Sequence, residues 1–159
     1  MRFKNAVQAT KGLAGAYRPG LQALAPADHK RISCKDTRKL AGSVNLDETL
    51  KQAQPNDPRW DYGVGVARGA RDRAVWVEVH PASSLHVDEV IKKRRWLRRW
   101  LEDKAPAIEA ITPRRAEAYL WLASGKVAFP KNSPQSRRLA EAGISHPCEH
   151  VDLDQILAD

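Results

Sequence analysis

The chain of 159 residues has little cysteine and no long apolar segment, and it lacks the common nucleotide-binding motifs. Two cysteines, Cys34 and Cys148, are too few for a disulfide framework of the kind that stabilises small secreted domains. No apolar run approaches the roughly 18–20 residues that a membrane-spanning helix needs, and residues 1–22 lack the apolar segment of a secretory signal. We therefore expect a soluble, cytoplasmic protein without a membrane partner.

Positive charge is abundant, and it is concentrated in one segment. The chain carries 27 Lys and Arg against 19 Asp and Glu, a formal net charge of +8. Residues 91–115 hold nine basic and three acidic residues, so +6 of this charge lies there. A basic segment attracts a polyanion, and tryptophans within it can stack on bases, although a basic helix face can also serve solubility alone. The pattern favours nucleic acid, DNA or RNA, as the partner, with contacts from Lys92, Arg95, Trp96, Arg99 and Trp100.

Hydrophobic periodicity predicts an α/β protein with a mixed sheet and helices on both faces. Alternation predicts strands at residues 60–66 and 74–80 that form a β-hairpin, and helical spacing predicts a long helix over 84–103. The other predicted elements are a buried strand at 116–123, strands at 31–34 and 148–153, and helices at 48–54 and from Ser133-Pro134 to Gly143. Residues 1–30 show no clear period, which indicates a loosely ordered arm or a short irregular helix before one domain spanning 31–159.

Three acidic positions are candidates for a functional site. Asp61 lies at the start of the first hairpin strand, Glu78 near the end of the second, and Asp47 or Glu48 by the short helix before them. Burying an unpaired carboxylate in an apolar strand is costly, so Glu78 indicates either a functional group or a salt bridge to an arginine. Asp61 is equally compatible with a ligand and with a turn cap. A register that places Asp61 opposite Glu78 or His80 brings the carboxylates onto one face, and a shift of one residue would separate them.

The order of elements and these acids resemble the PD-(D/E)XK superfamily, the restriction-endonuclease-like nucleases, and this resemblance implies the hydrolysis of a phosphodiester. Because a phosphodiester is itself negatively charged, hydrolysis needs a hard divalent cation that neutralises developing charge and activates water. Two carboxylates on adjacent strands would bind such a cation through oxygen, and a nearby cationic side chain would orient water or stabilise the transition state. Gly63 and Gly65 lie on the same face as Asp61, so we expect that face to be open to a metal ion and a phosphate.

The resemblance to the PD-(D/E)XK superfamily covers about residues 43–123. The resemblance implies an αβββαβ core, which a C-terminal αβ extension follows in this chain. It also implies that Asp61 and Glu78 are the ligands of a Mg²⁺ ion. A further acid is implied on a helix, for which we take Glu48.

The sequence departs from the family pattern at two positions. Trp60 replaces the proline before the first acid, and His80 stands where the family has a lysine. Histidine can bind metal or transfer protons, so His80 is one candidate for the missing cationic role. Lys93, on the following helix, is the candidate for a relocated catalytic lysine.

We therefore expect a metal-dependent nuclease, or a nuclease-derived protein, that acts on nucleic acid phosphodiesters and needs Mg²⁺ if it is catalytically active. Its catalytic residues would be Glu48, Asp61, Glu78, His80 and Lys93. The alternative is a non-catalytic nucleic-acid-binding or regulatory protein that uses the basic helix at 92–99. A third interpretation is an interaction protein whose basic face docks on an acidic partner protein. The sequence leaves the formation of a homodimer open.

Overall fold

A four-stranded mixed sheet forms the centre of the structure, a computed structural model in which residues 1–156 are described. The strands are β1 (Ile32–Ser33), β2 (Leu40–Asn45), β3 (Tyr62–Arg68), β4 (Arg71–His80), β5 (Tyr119–Ala123) and β6 (Val151–Asp152). The central sheet has the order β2-β3-β4-β5, in which β3 is antiparallel to β2 and β4, and β5 is parallel to β4. Strands β1 and β6 form a separate parallel pair.

Seven helices accompany these strands in the described part of the chain. They are α1 (Phe3–Gln8), α2 (Pro26–His29), α3 (Leu46–Leu50), α4 (Val87–Lys104), α5 (Pro106–Glu109), α6 (Pro134–Glu141) and α7 (Leu153–Ile156). Short 3-10 turns lie at Thr37–Lys39, Ser84–His86 and Ala116–Ala118. Within residues 1–156, no helix has the length and apolar character needed to cross a membrane.

The hairpin of β3 and β4 forms where the alternation predicts it. Tyr62 pairs with Val77, and the ladder continues to Arg68 and Arg71, so the turn consists of Gly69-Ala70 alone. Gly69 has a φ of +58°, a left-handed conformation that glycine adopts without steric cost and that tight hairpin turns require. Both strands extend further toward the turn than the apolar pattern predicts, since β3 ends at Arg68 and β4 begins at Arg71.

The central sheet is covered on both faces, which confirms the predicted α/β class with a mixed sheet. One face packs against α1, α4 and α6 through a core that includes Phe3, Trp76, Leu97, Trp121 and Leu139. The other face packs against the segments 21–34 and 151–156 through Val64, Val75, Val77, Leu120 and Leu122. The long helix thus lies on one face and the short α7 on the other.

Helix α4 is the long helix that the periodicity predicts. Its buried stripe consists of Val87, Val90, Ile91, Trp96, Leu97, Trp100 and Leu101. Asp88 and Glu89 lie in its first turn and Lys104 in its last. This charge order complements the helix dipole, which favours acids at the N-terminus and bases at the C-terminus.

Other elements differ from the sequence-based predictions. The apolar pattern does not predict β2, because Leu40–Asn45 mixes small and polar residues without clear alternation. Helix α3 begins earlier than predicted, since the Asn45 side chain accepts a hydrogen bond from Glu48 N and caps it. The last predicted strand is reduced to Val151–Asp152.

The N-terminal residues contain the short helix that was one of the two expectations for 1–30. Phe3, Ala6 and Val7 of α1 are buried in the core. Asp72 anchors this helix, since its carboxylate accepts a hydrogen bond from Phe3 N over 2.7 Å. Phe3–Gln8 is therefore a packed element and not a loosely ordered arm.

Candidate active site

The hairpin brings Asp61 and Glu78 together at one end of the sheet. The ladder ends at the pair of Tyr62 and Val77, and Asp61 and Glu78 are the next residues beyond that pair. The Asp61 amide donates to Glu78 Oε1 over 3.1 Å, and the Val79 amide donates to Asp61 Oδ2 over 3.0 Å. The backbone of each strand thus holds the carboxylate of the other, which fixes the two acids relative to each other.

Glu78 is fully buried, with 0% of its side chain exposed, and Lys93 of α4 pairs with it. Lys93 Nζ donates to Glu78 Oε2 over 2.6 Å. The salt-bridge partner of Glu78 is thus a lysine of α4. The sequence predicts an arginine as this partner if the role of Glu78 is structural. Burial alone would lower the pKa of Lys93, but the carboxylates of Glu78 and Asp61 outweigh it and raise that pKa above its usual value. The ammonium group therefore stays charged at neutral pH.

Asp61 titrates near neutral pH in this environment. Burial raises the pKa of Asp61 to about 7, the negative charge of Glu78 adds to the effect, and Lys93 and the Val79 amide oppose it. Among the described residues, no donor contacts Asp61 Oδ1. Burial and a neighbouring acid both disfavour the ionised carboxylate. A cation bound at this position would stabilise the ionised form of Asp61.

His80 lies next to Glu78 but is also directed toward a second group. His80 Nδ1 is 3.5 Å from Glu78 Oε2, and His80 Nε2 is 3.1 Å from both His86 Nδ1 and Glu89 Oε2. The Glu78 carboxylate raises the pKa of His80, and burial opposes this. His86 and Glu89 are not among the residues that the sequence predicts for the site, although their spacing of three residues at a helix start places them on one side.

Of the two helix acids, Asp47 lies nearer to the site. Its charge helps to raise the pKa of Asp61, and its carboxylate accepts a hydrogen bond from Arg59 Nε over 3.1 Å. Glu48 is exposed to solvent. The structure therefore does not bring Glu48, the predicted helix acid, to the other site residues. Both acids follow β2, whereas the resemblance implies a helix that precedes the sheet.

The glycines of β3 do not leave the sheet face open. A Cβ added to Gly63 would lie 2.7 Å from Trp76 Cζ3, and one added to Gly65 would overlap the ring of Phe3. The expectation of an uncovered face is therefore wrong, because two aromatic side chains fill the space above these glycines. Asp61 and Lys93 stay partly exposed, so solvent reaches the site at the end of the hairpin.

The residues predicted to contact nucleic acid fall into two groups. Lys92, Arg95 and Arg99 are exposed on α4. Trp96 and Trp100 are each 5% exposed and stack on one another with ring centroids 5.9 Å apart. These rings belong to the core between α4 and the sheet, so they present no free face to a base. Contact through α4 would therefore be electrostatic.

Comparisons with protein-family models, with curated proteins and with solved structures found no match for this chain. The functional interpretation therefore depends on the side chains that the fold brings together.

Proposed function

We propose that this chain is a metal-dependent nuclease, or a protein derived from one, that acts on nucleic acid phosphodiesters. The observation that carries the proposal is the convergence of Asp61, just before β3, with Glu78 of β4 and Lys93 of α4; Lys93 Nζ lies 2.6 Å from Glu78 Oε2. Two carboxylates and a fixed ammonium group are the side chains that cation-assisted phosphodiester hydrolysis requires.

The donor atoms suit a hard cation such as Mg²⁺. Among the described residues, Asp61 Oδ1 has no donor, and Glu78 Oε1 accepts only from the Asp61 amide, whereas Glu78 Oε2 already faces Lys93 and His80. Mg²⁺ prefers oxygen ligands and is often held by one or two carboxylates. Asp61 and Glu78 would hold the ion, which when bound would supply charge neutralisation and an activated water.

Lys93 supplies the fixed positive charge in this proposal. Its pKa is raised, so the ammonium group is available to stabilise negative charge that develops on a phosphate oxygen. His80 is the weaker candidate for this role, because Nδ1 lies 3.5 Å from Glu78 and Nε2 is directed away toward His86 and Glu89. The geometry thus favours a catalytic lysine that has moved from the strand to the helix.

The order of the elements supports a restriction-endonuclease-like interpretation. Strands β2, β3 and β4 are consecutive and antiparallel, α4 follows, and β5 returns parallel to β4. A helix, three antiparallel strands, a helix and another strand is the order that the resemblance implies, with α1 as the first helix. The helix acid is the point of difference, since α3 lies between the first two strands.

Cleavage of single- and double-stranded DNA and RNA in Mg²⁺ or Mn²⁺ tests the proposal. We expect the parent to cleave, and we expect Glu78→Gln to lose at least about 100-fold in rate because a neutral amide binds a divalent cation poorly. Glu78→Gln keeps the side-chain volume and an acceptor for one of the two donors, Lys93 or the Asp61 amide, so it disturbs the fold less than truncation to Ala would. Nucleic-acid affinity should stay within about twofold, since the exposed face of α4 provides it.

The matched control is Glu48→Gln, which removes an exposed acid on α3 and should leave the cleavage rate unchanged. Lys93→Met should lose more activity than His80→Asn if Lys93 supplies the charge. A parent that binds nucleic acid but cleaves none of these substrates with either cation contradicts the nuclease proposal.

The second candidate function is non-catalytic binding of nucleic acid. The exposure of Lys92, Arg95 and Arg99 on α4 favours it, because these groups can contact a phosphate backbone with no help from the carboxylates. In this case the Glu78–Lys93 pair would be a purely structural ion pair. The two functions differ in one requirement, since only the first needs a cation bound by Asp61 and Glu78.

A further inference from the structure

The side chains of His80, His86 and Glu89 form a compact cluster beside the carboxylate site. His80 Nε2 lies 3.1 Å from His86 Nδ1 and 3.1 Å from Glu89 Oε2, and the remaining side of the triangle is 3.4 Å. In a tetrahedral zinc site with bonds of about 2.0–2.1 Å, two ligand atoms lie about 3.3 Å apart. The three atoms therefore already have the spacing that such an ion requires.

Hydrogen bonds account for only part of this triangle. If His80 Nε2–H and His86 Nδ1–H both donate to Glu89 Oε2, the two ring nitrogens lie 3.1 Å apart with no hydrogen bond between them. His80 Nε2 carries at most one hydrogen, yet two partners lie at the same distance of 3.1 Å from it. One N–H can point well at only one of the two. A cation at the centre would engage a lone pair from each of the three atoms.

Contacts on the side of the His80 ring opposite Nε2, and at its backbone, fix the orientation of His80. Its Nδ1 faces the buried Glu78 carboxylate at 3.5 Å, its ring packs edge-on against Trp121, and Trp121 Nε1 donates to the His80 carbonyl over 3.0 Å. Histidines that ligate a metal commonly direct their second ring nitrogen to a carboxylate, which sets the tautomer and the ring orientation. This arrangement holds His80 Nε2 toward His86 and Glu89.

We propose that His80, His86 and Glu89 bind a divalent transition-metal ion, with Zn²⁺ as the expected species. Two imidazoles and one carboxylate favour a metal of this class over Mg²⁺, which prefers oxygen alone. Three protein ligands leave the fourth tetrahedral position for an exchangeable water, as in catalytic zinc sites. Glu89 is exposed and His86 partly so, which gives the ion access from solvent. The site does not depend on the nuclease proposal, because it uses neither Asp61 nor the oxygens of Glu78 as ligands.

Titration of the metal-free protein tests this site directly. Calorimetry with Zn²⁺ should give one equivalent bound per chain, and Co²⁺ should give the intense visible absorption of a four-coordinate ion. His86→Ala and Glu89→Gln should each weaken Zn²⁺ binding by at least about tenfold, since even the loss of a supporting residue commonly costs 10- to 100-fold. His29→Ala and Glu117→Gln change exposed residues elsewhere on the surface and should leave binding unchanged.

Three outcomes would overturn the proposal. The first is a parent protein that binds no Zn²⁺. The second is a stoichiometric site that survives both His86→Ala and Glu89→Gln. The third is a site that Asp61→Asn abolishes while His86→Ala does not, since the ion would then lie on the carboxylates. The proposal expects Asp61→Asn to keep the Zn²⁺ site, so this variant also separates failure here from failure of the nuclease proposal.

Discussion

Asp61 is a residue whose ionisation the fold opposes. Its pKa of about 7 lies well above the value near 4 of a free aspartate. Between these two values the folded state binds a proton that the unfolded state has lost, so the contribution of Asp61 to stability falls as pH rises through this window. Asp61→Asn removes the ionisation. A pKa difference of about 3 corresponds to about 4 kcal/mol, so without divalent cations the variant should gain up to about that amount relative to the parent as pH rises from 4 to 8.

Denaturant unfolding of both proteins across this pH range measures the difference. Asp57→Asn is the control, because Asp57 is an exposed aspartate in the loop before β3. The account fails here if Asp61→Asn and Asp57→Asn change with pH in the same way.

Gly65 is the second residue whose surroundings give a clear prediction. A methyl group at this position would overlap the ring of Phe3, which is fully buried. Overpacking of a core typically costs about 1–3 kcal/mol, so Gly65→Ala should lower the free energy of unfolding by about that amount. Gly125→Ala is the control, since a Cβ there meets open space. Equal stability of the two variants would show that Phe3 does not occupy this position.

Helix α4 presents different chemistry on its two sides. Lys93 faces Glu78 and the core, whereas Lys92, Arg95 and Arg99 face solvent. Successive residues of a helix are about 100° apart, so one element can supply both a site residue and a separate basic face. The tryptophans lie on the inner side, which leaves phosphate contacts as the means by which this helix would bind nucleic acid.

Charge reversal on the outer side of α4 tests that mode of binding. The double variant Arg95→Glu, Arg99→Glu should weaken binding to all nucleic acid sequences alike. Each lost phosphate contact should also reduce the slope of log affinity against log salt by about 0.9 on double-stranded DNA. The control is the double variant Lys126→Glu, Lys131→Glu, which makes the same change of net charge at exposed residues outside α4. If both double variants weaken binding equally, net charge is responsible and α4 is not the contact.

The sequence predicts these elements unevenly, for physical reasons. Alternation over β3 and β4 and helical spacing over α4 are strong local signals, and both elements are present. The signal for β2 is weak because its Gly42 and Ser43 carry no large apolar side chain, and the strand is stabilised by pairing with β3. Pairing of this kind depends on the partner strand, which no local window contains.

At the scale of the whole molecule, the same limit applies to the candidate site. Strand alternation allows Asp61 and Glu78 to share a face in one hairpin register, and the helix pattern makes Lys93 a candidate; the three do converge. Sequence alone could not show that Glu48 is exposed while Asp47 approaches Asp61.

The environment of aromatic residues shows the same dependence on tertiary packing. Trp96 and Trp100 stand among basic residues in the sequence, yet they are buried against the sheet. The space above Gly63 is filled by Trp76, its cross-strand partner. These outcomes follow from how α4 and α1 cover the sheet, which the order of residues along the chain does not specify.

The central claim of the proposal is that Asp61 and Glu78 bind a divalent cation, with Lys93 beside it. A crystal soaked in Mn²⁺ tests this most directly, because the anomalous signal locates the ion without reference to activity. The account predicts a peak between the two carboxylates, with each contributing an oxygen at about 2.0–2.3 Å. Crystals that show no anomalous peak between Asp61 and Glu78, with Glu78 still paired to Lys93, would contradict it, even if a peak appeared at His80, His86 and Glu89.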